Sequence, residues 1–414
     1  MKKMFVVFVL MLLIATSIPI SGGIISLSSE KTDMVNMTNG GWYKTYGGDG
    51  IDSLKGIDFT NDGGYILSGE TQIGESLDAW LLKIDGAGNV LWEFTYGNPR
   101  GWDGLFPVIA TTDNAYITAG WYYNTTQDKF DALLIKINDN GDLSWIFTIG
   151  GEGDDEFFGI HETDDGYLAV GYSSLYYPKI LQSFIVKVDF DGNLLWHKNL
   201  EREGYSGELD SIIDANDGGG YILSGGFYNS KTPPQGRLLK IDYEGNIIWE
   251  KSYGEKLSYD WCVYVQNTLD NNYILAGGAK GGLLGLGLWG TDIWIMKVDN
   301  SGSFIWEKFH GIPVLKGYSM CVEPTSNGGY VYTGHILGLG FTGFPTFGLW
   351  SKAVLVKTDG NGKTLWTKLL PNSGHGMTVK ETDDGFILCG FHKGDRGLSS
   401  DYGWVLKTDK NGEI

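Results

Sequence analysis

The stretch K-I-D-G-A-G-N-V-L-W, from Lys83 to Trp92, decides how this chain is read. A strand closes on Lys-x-Asp, a glycine stands three residues after the Asp, and a Trp stands four residues after the glycine. The spacing returns at Asn138, Gly141 and Trp145, at Asp189, Gly192 and Trp196, and at Asp242, Gly245 and Trp249. It returns again at Asp299, Gly302 and Trp306, then at Asp359, Gly362 and Trp366. A seventh copy has Asp409 and Gly412, and the sequence stops at Ile414 just before its Trp is due. An Asp or Asn followed by a glycine able to turn left-handed is hairpin chemistry.

A second pattern lies between these turns. It reads D-G-G-Y-I-L-S-G from Asp62 to Gly69, with Tyr65 as its aromatic residue. Its counterparts carry Tyr116, Tyr167, Tyr221, Tyr273, Tyr330 and Phe386, each followed four residues later by glycine. Two interlocked motifs with a period of about 50 residues mean a repeat architecture. Each unit reads as four short strands, rich in β-branched and aromatic residues and parted by Gly, Asp and Asn. In the first unit they fall near 53–59, 64–69, 78–84 and 90–96. No segment carries a sustained helical period with caps. Radially repeated four-stranded sheets of this size are propeller blades, and solenoid repeats are usually shorter.

The missing seventh Trp has a counterpart at the other end. Trp42 opens W-Y-K-T-Y-G-G, which matches W-E-F-T-Y-G from Trp92 and W-E-K-S-Y-G from Trp249. The last blade, about 377–408, has three strands, and residues 42–47 fit the vacant fourth place. The expected fold is therefore all-β: a seven-bladed β-propeller of four-stranded blades over 42–414, closed by the N-terminal strand completing the last blade. Pairing the two ends would remove exposed sheet edges.

Ahead of this domain, Lys2 and Lys3 precede an apolar run from Met4 to Ile14, then Ala15, Ser17, Pro19 and Ser21. That order reads as a signal peptide or N-terminal anchor over 1–22, followed by a linker over 23–41. A secreted or cell-surface location follows, with membrane contact only if the segment stays as an anchor. No Cys follows the run, which disfavours a lipoprotein anchor. The sequons at Asn36 and Asn124 agree with export. The net charge of −19 excludes a nucleic-acid or polybasic membrane-surface role, both of which need clustered cations. The three cysteines, Cys262, Cys321 and Cys389, form no C-x-x-C. One bond between Cys262 and Cys321 is compatible with their matching places in adjacent repeats; three buried thiols is the preferred reading.

The repeat copies resemble extracellular β-propeller repeat proteins of archaea and bacteria. They are also similar to the tryptophan-docking repeat of quinoprotein-like propellers. The resemblance covers about 42–414 and implies a fold and export, but little about activity. The adjacent cysteine pair of quinoprotein alcohol dehydrogenases is missing, and those enzymes have eight blades, so a quinone-dependent oxidoreductase is disfavoured. The Asp-x-x-Gly turns also differ from the Asp boxes of sialidase propellers.

No catalytic residue, cofactor or metal is assigned. His161, His197, His310, His335, His375 and His392 are scattered singly, outside any metal spacing. No G-x-S-x-G elbow or P-loop occurs, and Gly285–Gly290 lacks the βαβ context of a dinucleotide fingerprint. The turn Asp residues lack the distal Glu of a calcium loop, and hairpin geometry accounts for them without a cation.

Two sets of residues are candidates for ligand contact. Asp52, Asp103, Asp155, Asp210 and Asp260 recur eleven to thirteen residues before the repeat aromatic, with Ser319 and His375 in that region of the last two blades. They are expected at the channel mouth, either holding local turns or offering carboxylates to a polar ligand. The second set lies in apolar insertions between strands two and three: Leu283, Leu284 and Trp289 in blade 5, and Phe341, Phe344, Phe347 and Trp350 in blade 6. Apolar rim loops of this kind mark a partner surface. The function expected is a non-catalytic binding or scaffold module for a protein or glycan partner. The alternative is a secreted glycan-active hydrolase or lyase with carboxylates at the channel mouth.

Overall fold

The computed structural model describes residues 35–36, 41–176, 179–200, 204–254, 260–279, 292–310, 316–343, 346–370, 374–392 and 401–414. Side chains are described for these apart from 35–36, 175–180, 316 and 337–350. The expected signal or anchor segment, residues 1–22, lies outside the described residues. Among those described, every regular element is a strand.

The fold is a seven-bladed β-propeller of antiparallel four-stranded sheets. Blade 1 consists of strands a (Asp52–Phe59), b (Tyr65–Ile73), c (Ser76–Ile84) and d (Val90–Tyr96). The same letters apply to blade 2 (104–149), blade 3 (155–199), blade 4 (205–253), blade 5 (261–310) and blade 6 (316–369). Blade 7 takes a, b and c from His375–Glu381, Gly385–His392 and Tyr402–Asp409, and its d strand is Trp42–Tyr46. Val35–Asn36, within the expected linker, pairs outside Trp42–Tyr46 as a short fifth strand.

The register shows that the N-terminal strand is a true fourth strand. Lys83 pairs with Trp92, Lys136 with Trp145, Lys187 with Trp196 and Lys240 with Trp249. Lys297 pairs with Trp306 and Lys357 with Trp366, and in blade 7 Lys407 pairs with Trp42 in the same register. The chain divides into two compact units: Gly50–Asp210, with blades 1–3 and the opening of Tyr205–Asp214, and Lys31–Asp49 with Ser211–Ile414.

Within each unit the repeat residues meet between neighbouring blades. Lys83 is 3% exposed, yet its ammonium reaches Asp62 of its own a–b turn at 2.9 Å and Asp139 of the next blade at 2.6 Å. The Tyr116 hydroxyl donates to the same Asp139, and Lys83 Nζ lies 5.6 Å from the Tyr116 ring centroid. Trp92 lies over the Gly141 turn and donates from Nε1 to the Asp139 carbonyl at 3.0 Å. Blade 2 meets blade 3 in the same way through Lys136, Asp113, Trp145, Tyr167 and Gly192. In the second unit Lys297 does so with Asp270, Trp306, Tyr330 and Gly362. The buried ammonium is stable there because its desolvation is offset by carboxylates and aromatic faces. Trp92, Trp145, Trp249, Trp306 and Trp366 are only half-buried, so they act as lids on the next turn rather than as core.

The turn Asp residues are occupied by the backbone. Asp85 Oδ1 accepts the N–H groups of Ala87 at 2.9 Å and Asn89 at 2.8 Å, and the other six turns repeat this with Asn138, Asp189, Asp242, Asp299, Asp359 and Asp409. The following glycine has positive φ in every copy, from 73° at Gly302 to 88° at Gly141. All three cysteines are free and buried.

Blade 6 departs from the pattern. Asn327 stands where the other blades have the a–b Asp, and the next blade offers Phe386 in place of Tyr. Lys357 is therefore buried against Thr325 Oγ1 at 2.8 Å, Asn327 Oδ1 at 3.2 Å and the Thr358 carbonyl at 2.9 Å. Burial lowers its pKa. Replacing Asn327 with Asp is expected to install the missing ion pair and stabilise by about 1–2 kcal/mol, read as a raised denaturation midpoint. An unchanged or lower midpoint would show that the pair adds nothing. Removing residues 1–48 strips Trp42–Tyr46 from strand c of blade 7 and bares a sheet edge, so light scattering should show aggregation and the melting temperature should fall sharply.

Candidate functional site

Four of the five predicted Asp residues are buried. Asp52, Asp103, Asp155 and Asp260 stand at or just before strand a, each exposed by 1% or less. Thr71 Oγ1 donates to Asp52 at 2.5 Å. Asp103 accepts the Asn98 N–H at 2.8 Å and the Tyr123 N–H at 2.6 Å, and Asp155 accepts the Gly151 N–H at 2.8 Å. A Cβ on Gly254, at the end of strand d of blade 4, would fall 2.1 Å from Asp260 Oδ2. Asp103 and Asp155 thus hold their d–a loops, Asp103 also reaching strand b at Tyr123, and Asp52 is tied to strand b at Thr71. Burial pushes both Asp103 and Asp155 up to about 7, against the N–H bonds that favour their charged forms. The charges of Asp131 and Asp154 add to the rise at Asp155.

Asp210 is placed differently. It follows Leu209, which is fully buried as Leu54, Leu105 and Phe157 are in blades 1–3. By that alignment it corresponds to Lys55, Phe106 and Phe158, and Gly207 takes the place of Asp52.

That second set of positions forms the site. Strand a carries a bulge in blades 1–3, with register shifts at Leu54/Gly56, Leu105/Val108 and Phe157/Gly159. The bulge leaves Lys55, Phe106 and Phe158 unpaired and re-aims their side chains. It also explains the repeat glycine of strand b: a Cβ at Gly69, Gly120 or Gly171 would lie 1.9 Å from the carbonyl oxygen of Ser53, Gly104 or Glu156. Only glycine allows the bulged strand so close.

Around these bulges the first unit collects a half-exposed aromatic and acidic surface. Lys55 Nζ lies 4.5 Å from the ring centroids of both Phe106 and Trp121 and 3.1 Å from Glu70 Oε2. Phe106 meets Trp121 at 5.1 Å and Phe158 edge-on at 4.9 Å, and Phe158 meets Tyr172 at 5.7 Å. Gly104 makes room for the Trp121 ring. Tyr172 pairs across the sheet with Glu156 and donates its hydroxyl to Glu156 Oε1 at 2.7 Å. Glu208, on Tyr205–Asp214, brings a second carboxylate to Glu156. Burial, then the Glu156 charge, push Glu208 up to about 7. Burial first, then Glu156, also raise the Tyr172 hydroxyl far above its ordinary value. Trp102, in the loop just before strand a of blade 2, is 64% exposed.

The second unit has its own version. Trp261, Tyr318 and His375 hold the place of Ser53 and Glu156 in blades 5, 6 and 7. Trp261 covers Gly226 and Tyr318 covers Gly278. His375 stacks on Phe391 with centroids 4.7 Å apart and meets His335 at 4.1 Å. Burial and the nearby His375 lower His335 to about 3. Thus His375 joins an aromatic row, and Ser319 is buried, donating to the Thr333 carbonyl at 3.2 Å.

Of the rim residues, Leu283, Leu284, Trp289 and Phe344 lie outside the described residues. The backbones of Phe341, Phe347 and Trp350 are described, their side chains not. The blade 6 insertion is a β-hairpin that extends strands b (Tyr330–Gly343) and c (Thr346–Thr358), with Phe341 paired to Phe347 and Gly338 to Trp350. Glu156, Glu208, Tyr172, Trp121 and Phe158 escaped the sequence reading because no motif contains them. Their signal is positional: Trp121 and Tyr172 directly follow the repeat glycine, and Glu156, Phe158 and Glu208 lie on strand a where the copies differ in sequence.

No protein-family model matches the sequence, and no curated protein matches it. Among solved structures, the chain is similar to Chaetomium thermophilum Sqt1 bound to the N-terminus of the ribosomal protein L10 (TM-score 0.50, 11% identity, 87% of this chain and 98% of that one). It is similar to a polysaccharide lyase of family PL25, an ulvan lyase bound to -[GlcA(1-4)Rha3S]- (TM-score 0.50, 8% identity, 88% and 96%). The Neurospora crassa Pan2 WD40 domain matches with TM-score 0.49 at 9% identity, over 88% and 92%. At these identities the likeness shows the fold alone.

The buried acids set a pH dependence. Asp103 and Asp155 have folded pKa values near 7 against about 3.9 in an unfolded chain, so the native state binds more protons between these values. Their contribution to stability is full below about 3.9 and is lost as pH rises through 7. The melting temperature is expected to be higher at pH 5.5 than at pH 8, and Asp155→Asn should shrink that difference. An unchanged difference in the variant would remove Asp155 from the account.

Proposed function

We propose that this chain is an exported, non-catalytic binding propeller that takes a protein or glycan partner on the bulged strand-a face of blades 1–3. One observation carries the reading. Across the seven copies the Lys, Trp, aromatic and glycine positions are nearly constant and are consumed in joining blades. The bulge position and its strand-b neighbour vary freely: Lys55 and Glu70, Phe106 and Trp121, Phe158 and Tyr172. Half-exposed aromatics beside polar groups are the composition of binding surfaces, because they offer area at low entropy cost. The basic–apolar–small order of residues 2–21 supports export.

The test is binding of the purified protein to peptide and glycan arrays, with and without Trp121→Ala and Phe158→Ala. Each replacement should cut binding at least tenfold and leave the circular dichroism spectrum unchanged. Array binding that neither replacement alters would place the site elsewhere. A second reading, a glycan hydrolase or lyase, is favoured by the convergence of Glu156, Glu208 and the Tyr172 hydroxyl among aromatic rings. Product release from a polysaccharide panel that disappears in Glu208→Gln would establish it in place of the first.

A further inference from the structure

We propose that the cavity between strand d of blade 4 (Ile247–Tyr253) and the facing side of blade 5 binds a small organic cation, an ammonium group carried on a compact apolar body. The cavity shares no residue with the bulged face of blades 1–3 and does not rest on the function proposed above.

Two contacts tie strand d of blade 4 to blade 5. Tyr253 donates its hydroxyl to the Gly302 carbonyl at 2.6 Å, with Trp249 against the same turn, and Gly254 lies against Asp260. Beside these ties the seam holds a cavity of about 260 Å³. Trp294 and Met296 of strand c, both buried, line it with Phe304 and Phe309 of strand d. The Trp294 and Phe309 rings are parallel, with centroids 6.4 Å apart, and Phe304 is 58% exposed. Glu307 brings a carboxylate to these rings. Its Oε2 accepts the Trp294 Nε1–H at 3.0 Å, and its Oε1 has no protein partner among the described residues. Asp260 also borders the cavity but is engaged by other groups of the protein. No lysine, arginine or histidine lines the cavity, and the charge of Lys251, on the facing strand, falls on Asp299. The walls therefore offer ring faces and a charged acceptor without a cation of their own. Such a place repels an anion and gives a neutral hydroxyl one hydrogen bond. An ammonium gains the hydrogen bond, the ion pair and the ring faces together. A metal ion suits it less well, because no three side chains of metal-binding type converge among the described residues. The volume calls for a compact guest, since sites for drug-sized molecules run to about 300–1,000 Å³. The Trp–Glu pair alone is a sheet device: in blade 1 Trp80 donates to Glu93 at 3.3 Å in the same register. Blade 5 differs in placing Phe309 and Phe304 where blade 1 has Thr95 and Val90, and these added rings make a structural pair into the wall of a site.

The experiment is calorimetric titration of the purified protein with phenethylamine, and with its neutral counterpart 2-phenylethanol, at pH 7.5 and 150 mM salt. Phenethylamine should bind, and 2-phenylethanol at least tenfold more weakly. Glu307→Gln keeps an acceptor for the Trp294 N–H but removes the charge. It should weaken phenethylamine at least tenfold and 2-phenylethanol less than twofold. Phe309→Leu, which keeps an apolar side chain but removes the ring, should weaken phenethylamine at least threefold. Glu93→Gln removes the same Trp-paired charge from blade 1 and should change affinity less than twofold. Circular dichroism checks the fold of each variant. Should Glu307→Gln fail to fold, Phe309→Leu and the difference between amine and alcohol decide the matter. No binding of phenethylamine, equal affinity for amine and alcohol, or equal effects of Glu307→Gln and Glu93→Gln would overturn the proposal.

Discussion

The structure depends on a lysine that should not be buried. In blades 1, 2 and 5 the strand-c lysine enters the seam toward the next blade, where an unpaired ammonium would be costly. Lys83 is held there because Asp62 comes from its own sheet and Asp139 from the neighbour, with the Tyr116 face beside it. The same group therefore satisfies a charge and joins two sheets. This explains why Lys, Asp, Tyr, Trp and Gly recur together. The Trp lies on strand d opposite the lysine and covers the turn whose glycine cannot carry a Cβ. Change one member and the others lose their reason, as blade 6 illustrates: where Asn327 replaces the Asp, the facing aromatic is Phe386 and not Tyr.

A second constraint shapes the opposite edge of each sheet. The strand-b glycine lets the bulged strand a press its carbonyl to within 1.9 Å of where a Cβ would be in blades 1–3. The bulge frees Lys55 in blade 1, Phe106 and Pro107 in blade 2 and Phe158 in blade 3 from pairing. The first of these in each blade and its strand-b neighbour have no structural duty common to all copies, so their identities can drift. In blades 1–3 they became a lysine with a glutamate and two pairs of aromatic rings. The glycine is invariant because of backbone contact, and the residues it frees are variable for the same reason.

This division explains what the sequence disclosed. The blade count, the Lys–Trp register and the role of Trp42 as a fourth strand were legible because they repeat with fixed spacing, and repetition within one chain exposes a physical requirement. The Asp series was legible as a pattern but not as a place. Asp103 and Asp155 accept loop N–H groups, whereas Asp210 shared only an approximate spacing and belongs to the bulge set. Glu156 and Glu208 were not legible. They lie about 50 residues apart, they belong to no motif, and only the folding of one sheet against the next brings their charges together.

The acids of each antiparallel meander sort by edge. The a–b and c–d turns share one edge, and there the carboxylates are neutralised. Lys83 and backbone or hydroxyl donors hold Asp62 near 2 and lower Asp139, and Lys240 lowers Asp217. The b–c and d–a connections share the other edge, where burial raises Asp78, Asp103, Asp131 and Asp155 against hydroxyl, amide and backbone N–H donors and, at Asp131, the charge of Lys129. Among the described residues, lysine–aspartate pairs thus lock the first edge, and hydroxyl, amide and backbone donors hold the acids of the second. The cost of seating these carboxylates shows at Asp103 and Asp155, where burial outweighs the loop N–H groups that favour the charged form.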